Sequence, residues 1–205
     1  MKSFAQSKTR LAAHFSPQAR AALAAALCAD FFAMIAGVAR ANRVFVVSRE
    51  PQALERARAL GWETIVETEQ ISESHSVDAA SRICAAQGVS ALLRIPMDLP
   101  LVTAADIDEI LAEAANAPSC VIVPSFDGTG TNALLRSPPS LFASHFGPDS
   151  FARHLEEAER CGARVKILHN AHIARDVDEW DDLRALLGHT RASSETARWI
   201  SQHLT

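Results

Sequence analysis

The segment Ala91-Leu-Leu-Arg-Ile-Pro-Met-Asp-Leu-Pro-Leu101 places a carboxylate directly after a short apolar run. A run of four to eight apolar residues that ends at a chain breaker is typical of a strand covered on both faces. Thr103 then supplies a side-chain oxygen that can cap a helix over residues 104–115. This order predicts one strand–loop–helix unit of an α/β fold, with Asp98 at the carboxyl end of its strand.

The same alternation recurs along the chain. Further strands are predicted at 43–48, 62–67, 120–123 and 163–168, and further helices at 17–41, 51–60, 76–87, 150–161, 180–187 and 194–204. Strands that alternate with helices of about 10 to 15 residues predict a mostly parallel sheet with helices on both faces. The stretch 133–135, after a glycine-rich loop, receives no element. We expect one domain over 1–188, with 189–205 as its C-terminal helical extension.

Composition narrows the class of protein. The 205 residues are 48% hydrophobic and 21% charged, with a formal net charge of −4, so general disorder is excluded and no basic field attracts nucleic acid. The longest apolar stretch, 21–41, is interrupted by Asp30 and Arg40 and predicts a core helix rather than a membrane span. The polar, basic N-terminus does not resemble a secretory signal. We therefore expect a soluble cytoplasmic protein without a nucleic-acid or membrane partner.

Acidic side chains follow two of the predicted strands, at the edge of the sheet where α/β proteins bind ligands. Asp98 suits Mg²⁺, which takes one or two carboxylates together with substrate phosphates. Asp176 and Asp178 point to the same side if their segment is extended, which gives a second source of ligands. The alternatives remain open: Asp98 as a surface or capping aspartate, and Asp178 as a helix cap.

Three further features suit anions. Lys2, Lys8 and Arg10 form a compact cationic segment ahead of the first helix, although a disordered basic terminus shows the same pattern. The loop 128–131 offers backbone N–H groups and hydroxyls. The segment 146–150 leads into a helix whose N-terminus favours phosphate or carboxylate, and an ordinary turn is the alternative.

Taken in order, five segments resemble the 2-phospho-L-lactate guanylyltransferase family of coenzyme F(420) biosynthesis, which includes phosphoenolpyruvate and 3-phospho-D-glycerate guanylyltransferases. The segments are Lys2 with Ser7-Lys-Thr-Arg-Leu11, Ile95–Leu101, Gly128–Leu134, Phe142–Phe151, and Asp176-Val-Asp178 ahead of Asp182. The resemblance implies a Rossmann-like nucleotidyltransferase that uses Mg²⁺. Such an enzyme transfers GMP from GTP to a phosphorylated three-carbon acid and releases pyrophosphate.

The resemblance also implies a role for each matched residue. Asp98, Lys8 and Arg10 would be catalytic, with the two cations on the GTP phosphates. The metal ligands would be Asp98 and Asp176, with Asp178 close by. The acid would be bound by Lys2, Thr131, Gly147 and Ser150. This chemistry needs two anions in line and neutralised charge rather than a protein nucleophile.

Two departures from the family pattern bear on the fold and on nucleotide choice. Family members carry an apolar strand before the position of Lys2, and this sequence starts at Met1, so we expect a fold without its first, central strand. Residues 74–78 stand where the family has Gly-Leu-Asn. A molybdenum-cofactor-type nucleotidyltransferase and a non-catalytic nucleotide-binding protein are the alternatives. The helix with Trp199 predicts packing on the body of the protein or on a second subunit of a homodimer.

Overall fold

A computed structural model describes residues 3–69, 71–114, 116–189 and 193–204, and within them strands and helices alternate. The helices are α1 (Pro17–Ile35), α2 (Pro51–Ala59), α3 (Glu73–Ala86), α4 (Ala104–Ala112), α5 (Ser150–Arg160), α6 (Trp180–Ala185) and α7 (Glu195–His203). The strands are β1 (Phe45–Ser48), β2 (Glu63–Val66), β3 (Leu92–Arg94), β4 (Ser119–Pro124), β5 (Thr131–Ser137) and β6 (Arg164–Ile167). The predicted α/β class is confirmed.

The strands form two sheets. β1 and β2 are a parallel pair, and the four others lie in the order β3-β5-β4-β6. β4 and β6 are parallel, whereas β5 runs antiparallel to both β3 and β4. The larger sheet is therefore mixed rather than mostly parallel, because residues 133–135, for which the sequence pattern predicts no element, belong to β5. Every residue of β5 is buried, so neither face shows the polar alternation that marks a strand.

Alternate side chains of β4 face two different helix layers. Val121 and Val123 belong to the core cluster of α4 residue Ile110, whereas Ile122 packs with Ala158 of α5. Since successive side chains of a strand point to opposite faces, the larger sheet is covered on both sides. The predicted placement of helices on both faces is confirmed for this sheet.

Local capping sets the helix starts. Thr103 accepts a hydrogen bond from the N–H of Asp106, and the Asp106 carboxylate accepts from the N–H of Thr103 at 2.8 Å. This capping box begins α4 where the sequence predicts it. By contrast, α3 begins at Glu73, because its cap is Ser72 and not the predicted Ser76.

α1 is the described helix that is long and apolar enough to cross a membrane by length and composition. Its residues Leu23, Leu27 and Phe32 are buried in the protein's own core clusters. The indole N–H of Trp199 donates to the carbonyl of Ala19 at 3.0 Å, which places α7 against α1. These contacts favour the predicted core helix, and they account for the apolar face of α7 within one chain.

A cavity of about 1180 Å³ lies between the two sheets. Side chains of β1 and β3 line it, and these two strands are not paired with each other in the described residues. Its other end reaches the polar residues Lys8 and Asp98. The two sheets are thus separated by this cavity, which reaches the carboxyl end of β3.

The side chain of Arg136 ties β5 to α3 from inside the protein. The residue is 1% exposed, and its guanidinium donates to the hydroxyl of Ser81 at 2.8 Å and to the carbonyl of Phe142 at 2.5 Å. We expect Arg136→Ala to lower the free energy of unfolding by about 3–5 kcal/mol, because buried polar partners lose their donor. Urea denaturation measures this change. Arg153→Ala, at an exposed position of α5, should stay within about 0.5 kcal/mol, and a similar loss in both variants would contradict the assignment.

Candidate active site

The Lys8 ammonium joins two acidic segments that are distant in sequence. Its Nζ lies 2.7 Å from Oδ2 of Asp98 and 3.1 Å from Oδ1 of Asp178. Asp98 follows β3, and Asp178 lies between β6 and α6. The Lys8 side chain is only 7% exposed, so this is a largely desolvated contact. The structure therefore brings three of the predicted site residues together.

Burial and charge act in opposite directions on this cluster. Burial would lower the pKa of Lys8, but the carboxylates of Asp98 and Asp178 outweigh it and hold that pKa above its usual value. Likewise, burial would raise the pKa of Asp98, but the Lys8 ammonium holds it below the usual range. Both groups are therefore charged at neutral pH, and each stabilises the other.

Asp176 lies next to the same cluster, but cations offset its negative charge less than they offset that of Asp98. Burial and the nearby negative charge of Asp98 raise its pKa above the usual value. Its Oδ1 is 3.5 Å from the amide nitrogen of Asn132, and the N–H of Val177 donates to the main-chain carbonyl of Asp98 at 3.0 Å. Two crowded carboxylates with hard oxygen donors fit a Mg²⁺ ion that shares them with substrate phosphates.

Asp178 is paired with two cations. Besides Lys8, it has Nη1 of Arg10 at 3.6 Å, and that guanidinium also lies 3.4 Å from Glu179. In the part of the chain that the structure describes, no three histidine, cysteine, aspartate or glutamate side chains are placed to hold a metal together. The Lys8 ammonium lies between Asp98 and Asp178, and the set of three aspartates as metal ligands stays a prediction.

The residues predicted for the acid, Thr131, Gly147 and Ser150, are called here the acid-binding set. Thr131 and Ser150 are 6% and 1% exposed. The N–H of Ser150 donates to the carbonyl of Gly147 at 3.2 Å, and the N–H of Phe151 donates to Thr129 at 3.0 Å. Lys2, the fourth predicted residue, lies outside the described residues. The helix start therefore offers fewer open N–H donors than the sequence suggests.

The glycine-rich loop also uses its donors internally. The N–H and hydroxyl of Thr129 both donate to Asp127, at 3.1 and 2.9 Å, and the N–H of Gly130 donates to Ser125 at 2.7 Å. The Ser125 hydroxyl donates to Asp127 at 2.6 Å, and this bond together with those from Thr129 lowers the pKa of Asp127 to about 2. The loop is thus held by its own carboxylate, and in this conformation it does not cradle an external anion.

His154 fixes the hydroxyl of Thr131. The N–H of His145 donates to Nε2 of His154 at 2.9 Å, so Nε2 is an acceptor. Burial and the charge of Arg136 lower the pKa of His154 to about 4, so the ring is neutral with its proton on Nδ1. Nδ1 lies 3.0 Å from Oγ1 of Thr131 and therefore donates to it. The hydroxyl proton of Thr131 remains available to a ligand.

Backbone strain coincides with the two predicted binding segments. Among the described residues, the non-glycine positions with positive φ are Lys8 at 54° and Asp149 at 56°. Gly147 has φ of 121°, which only glycine adopts readily. Such conformations cost about 1–3 kcal/mol and cluster at functional sites. The strained positions therefore lie in two of the segments that the sequence predicts to bind anions.

Sequence reasoning missed three residues next to these segments. Arg94 and Glu73 form an ion pair beside the cavity, and His154 supports Thr131. Arg94 did carry a signal, because a charged residue inside an apolar strand needs a buried partner. His154 and Glu73 carried none, since their partners are distant in sequence.

Comparison with known proteins identifies the family of this chain. The profile of the "Guanylyl transferase CofC like" family matches residues 1–201. A phosphoenolpyruvate guanylyltransferase of Rubrobacter xylanophilus is 37% identical over 91% of this chain and 90% of its own length. A 2-phospho-L-lactate guanylyltransferase of Methanothermobacter thermautotrophicus is 30% identical over 91% of this chain and 81% of its own.

Solved structures show the same fold at low sequence identity. A protein named as a nucleotide-diphospho-sugar transferase, from Desulfovibrio desulfuricans, superposes with a TM-score of 0.78 at 17% identity and covers 98% of this chain and 91% of its own. The family match decides against the molybdenum-cofactor alternative, and the fold is that of nucleotidyltransferases. On the family model and these relatives, the chain belongs to the CofC-like guanylyl transferase family of nucleotidyltransferase enzymes.

Proposed function

We propose that this enzyme transfers GMP from GTP to a phosphorylated three-carbon acid and releases pyrophosphate, as a step of coenzyme F(420) biosynthesis. The candidate acids are phosphoenolpyruvate, 2-phospho-L-lactate and 3-phospho-D-glycerate. The observation that carries the proposal is the meeting of Lys8 with Asp98 and Asp178, beside Asp176 and at the mouth of the cavity. The names of the relatives support the choice of acids.

In the proposed reaction, an oxygen of the acid's phosphate attacks the α-phosphorus of GTP. One P–O bond forms, the bond from the α-phosphorus to the bridging oxygen breaks, and pyrophosphate leaves with that oxygen. Lys8 and Arg10 neutralise the triphosphate and the charge that develops on the leaving group. Mg²⁺, when held by Asp98 and Asp176, would supply further positive charge to the phosphates. The protein side chains thus position and neutralise, and none attacks the substrate.

Pyrophosphate release tests the proposal directly. The protein is incubated with GTP, Mg²⁺ and each acid in turn, with a reaction lacking acid as the blank. We expect release that depends on at least one of the three acids, and the acid with the highest kcat/KM is the substrate. Folded protein, verified by circular dichroism, that releases no pyrophosphate with any of the acids would overturn the proposal.

We further propose that the enzyme is soluble, because the long apolar helix α1 contributes buried side chains to the core. The contacts between α7 and α1 cover the apolar face of α7 within one chain, so no second subunit is needed to cover it.

Two substitutions of His154 separate its two hydrogen bonds. His154→Asn keeps a donor near the position of Nδ1, whereas His154→Gln keeps an acceptor near the position of Nε2. If the Thr131 hydroxyl binds the acid, we expect the Gln variant to have a KM for the acid about tenfold above that of the Asn variant, the worth of one hydrogen bond. Steady-state kinetics with varied acid measure the ratio. Equal KM values in the two variants would mean that Thr131 does not depend on this donor.

A further inference from the structure

Arg94 is a buried cation between the two halves of the site. It is the last residue of β3, and its side chain is 15% exposed. Its Nη1 donates to the main-chain carbonyls of Asn132 at 3.3 Å and Thr131 at 3.5 Å. Its guanidinium carbon lies 4.0 Å from the centre of the Phe146 ring. The guanidinium is therefore held in one orientation by the segments that carry the acid-binding set.

Arg94 is also reached from the cavity. It lines the cavity together with Lys8 and Asp98, whereas the acid-binding set does not line it. A ligand that enters beside Lys8 therefore meets Arg94 before it meets the buried hydroxyl of Thr131. The planar guanidinium with several N–H donors matches a carboxylate better than an ammonium does.

The present partner of Arg94 is an exchangeable carboxylate. Nη2 of Arg94 pairs with Oε1 of Glu73, whose side chain is 51% exposed. Burial lowers the pKa of Arg94 to about 10, although the charges of Asp98 and Asp176 act in the opposite direction, so Arg94 stays charged at neutral pH with or without Glu73. Ser72 already caps α3, and Glu73 is therefore not required to begin that helix.

We propose that Arg94 binds the carboxylate of the acceptor acid, and that Glu73 holds Arg94 until the acid displaces it. This inference rests on the proposed function and adds a specificity-determining residue to it. The acid's carboxylate and the Glu73 carboxylate compete for one guanidinium edge. Removing the charge of Glu73 therefore strengthens binding of the acid, whereas removing the guanidinium weakens it.

Kinetics of two variants test the competition. For Arg94→Lys we expect the KM for the acid to rise about tenfold or more, with the KM for GTP within about twofold, since lysine keeps the charge but loses the planar fork. For Glu73→Gln we expect the KM for the acid to fall about threefold, because Arg94 is then free more of the time. If the ion pair had only a structural role, the KM for the acid would change in the same direction in both variants.

A matched control comes from the other end of the chain. Glu195 is also the first residue of a helix, follows a serine cap, and pairs with Arg198 at 2.6 Å. Glu195→Gln should leave both KM values unchanged. The proposal is overturned if Glu73→Gln raises the KM for the acid, or if Arg94→Lys leaves it unchanged.

Direct binding separates failure of this inference from failure of the proposed function. Isothermal titration measures the affinity of the wild-type protein and of both variants for phosphoenolpyruvate, 2-phospho-L-lactate, 3-phospho-D-glycerate and inorganic phosphate. We expect Arg94→Lys to weaken binding of the acids about tenfold while its affinity for inorganic phosphate, which lacks a carboxylate, stays the same.

The outcomes separate the two proposals. If the wild-type protein binds an acid but does not turn it over, only the transferase activity is rejected. If Arg94→Lys weakens the binding of the acids and of inorganic phosphate equally, or if the wild-type protein binds none of the acids, the role of Arg94 is rejected. Should Arg94→Lys fail to fold, Glu73→Gln still decides, because its substitution lies on a half-exposed side chain.

Discussion

We expect Asp98→Asn to lower kcat for pyrophosphate release by at least about 100-fold, the loss typical when a charge-stabilising group is removed from an active site. Asparagine keeps the size of the side chain and can still accept a hydrogen bond from Lys8. It lacks the negative charge that would share Mg²⁺ with Asp176 and that faces the Lys8 ammonium at 2.7 Å. The measurement is kcat at saturating GTP, Mg²⁺ and acid, with the far-ultraviolet circular dichroism spectrum expected to be unchanged.

Asp181→Asn is the matched control for this experiment. Asp181 is an exposed aspartate in the first turn of α6, three residues beyond Asp178. Its replacement removes the same charge from the same side of the molecule and should change kcat by less than about twofold. Wild-type turnover in Asp98→Asn would remove Asp98 from the reaction. A comparable loss in both variants would point to net charge rather than to this carboxylate.

The second large effect is expected for Lys8→Met, which should lose activity but should be stabilised more strongly by Mg²⁺. Pyrophosphate release should fall by about 100-fold or more, because the ammonium beside the triphosphate is lost. At the same time, Asp98 and Asp178 lose the cation that lies between them, so their mutual repulsion with Asp176 increases. In the absence of GTP, Mg²⁺ should therefore raise the Tm of Lys8→Met more than it raises that of the wild-type protein.

Thermal unfolding with and without Mg²⁺ measures this second effect, and a non-binding salt of equal ionic strength corrects for screening. Lys166→Met provides the comparison, because Lys166 is a half-exposed lysine that pairs with Glu113 at 3.2 Å, away from the cluster. It should match the wild-type protein in both assays. If Mg²⁺ leaves the Tm of Lys8→Met unchanged, the three carboxylates do not form a cation site.

Several features of the fold could be predicted because their causes are local. The serine at position 16 accepts from the N–H of Ala19 and begins α1 at Pro17, as the pattern indicates. Asp98 follows β3 for the same kind of reason, since an apolar run that ends at a proline also ends the strand. By contrast, the direction of β5 depends on its pairing with β3 and β4, which no short pattern encodes.

By itself, the sequence determined the α/β class, the family, and the placement of Lys8, Asp98 and Asp176 in segments suited to phosphates and a metal. Only the tertiary structure decided which of these groups touch. Lys8 meets Asp98 and Asp178 across 90 and 170 residues, and this contact places a cation between two of the predicted metal ligands. The physical reason is one of range. Caps and apolar periodicity act over a few residues, whereas the charge balance of a buried site depends on long-range packing.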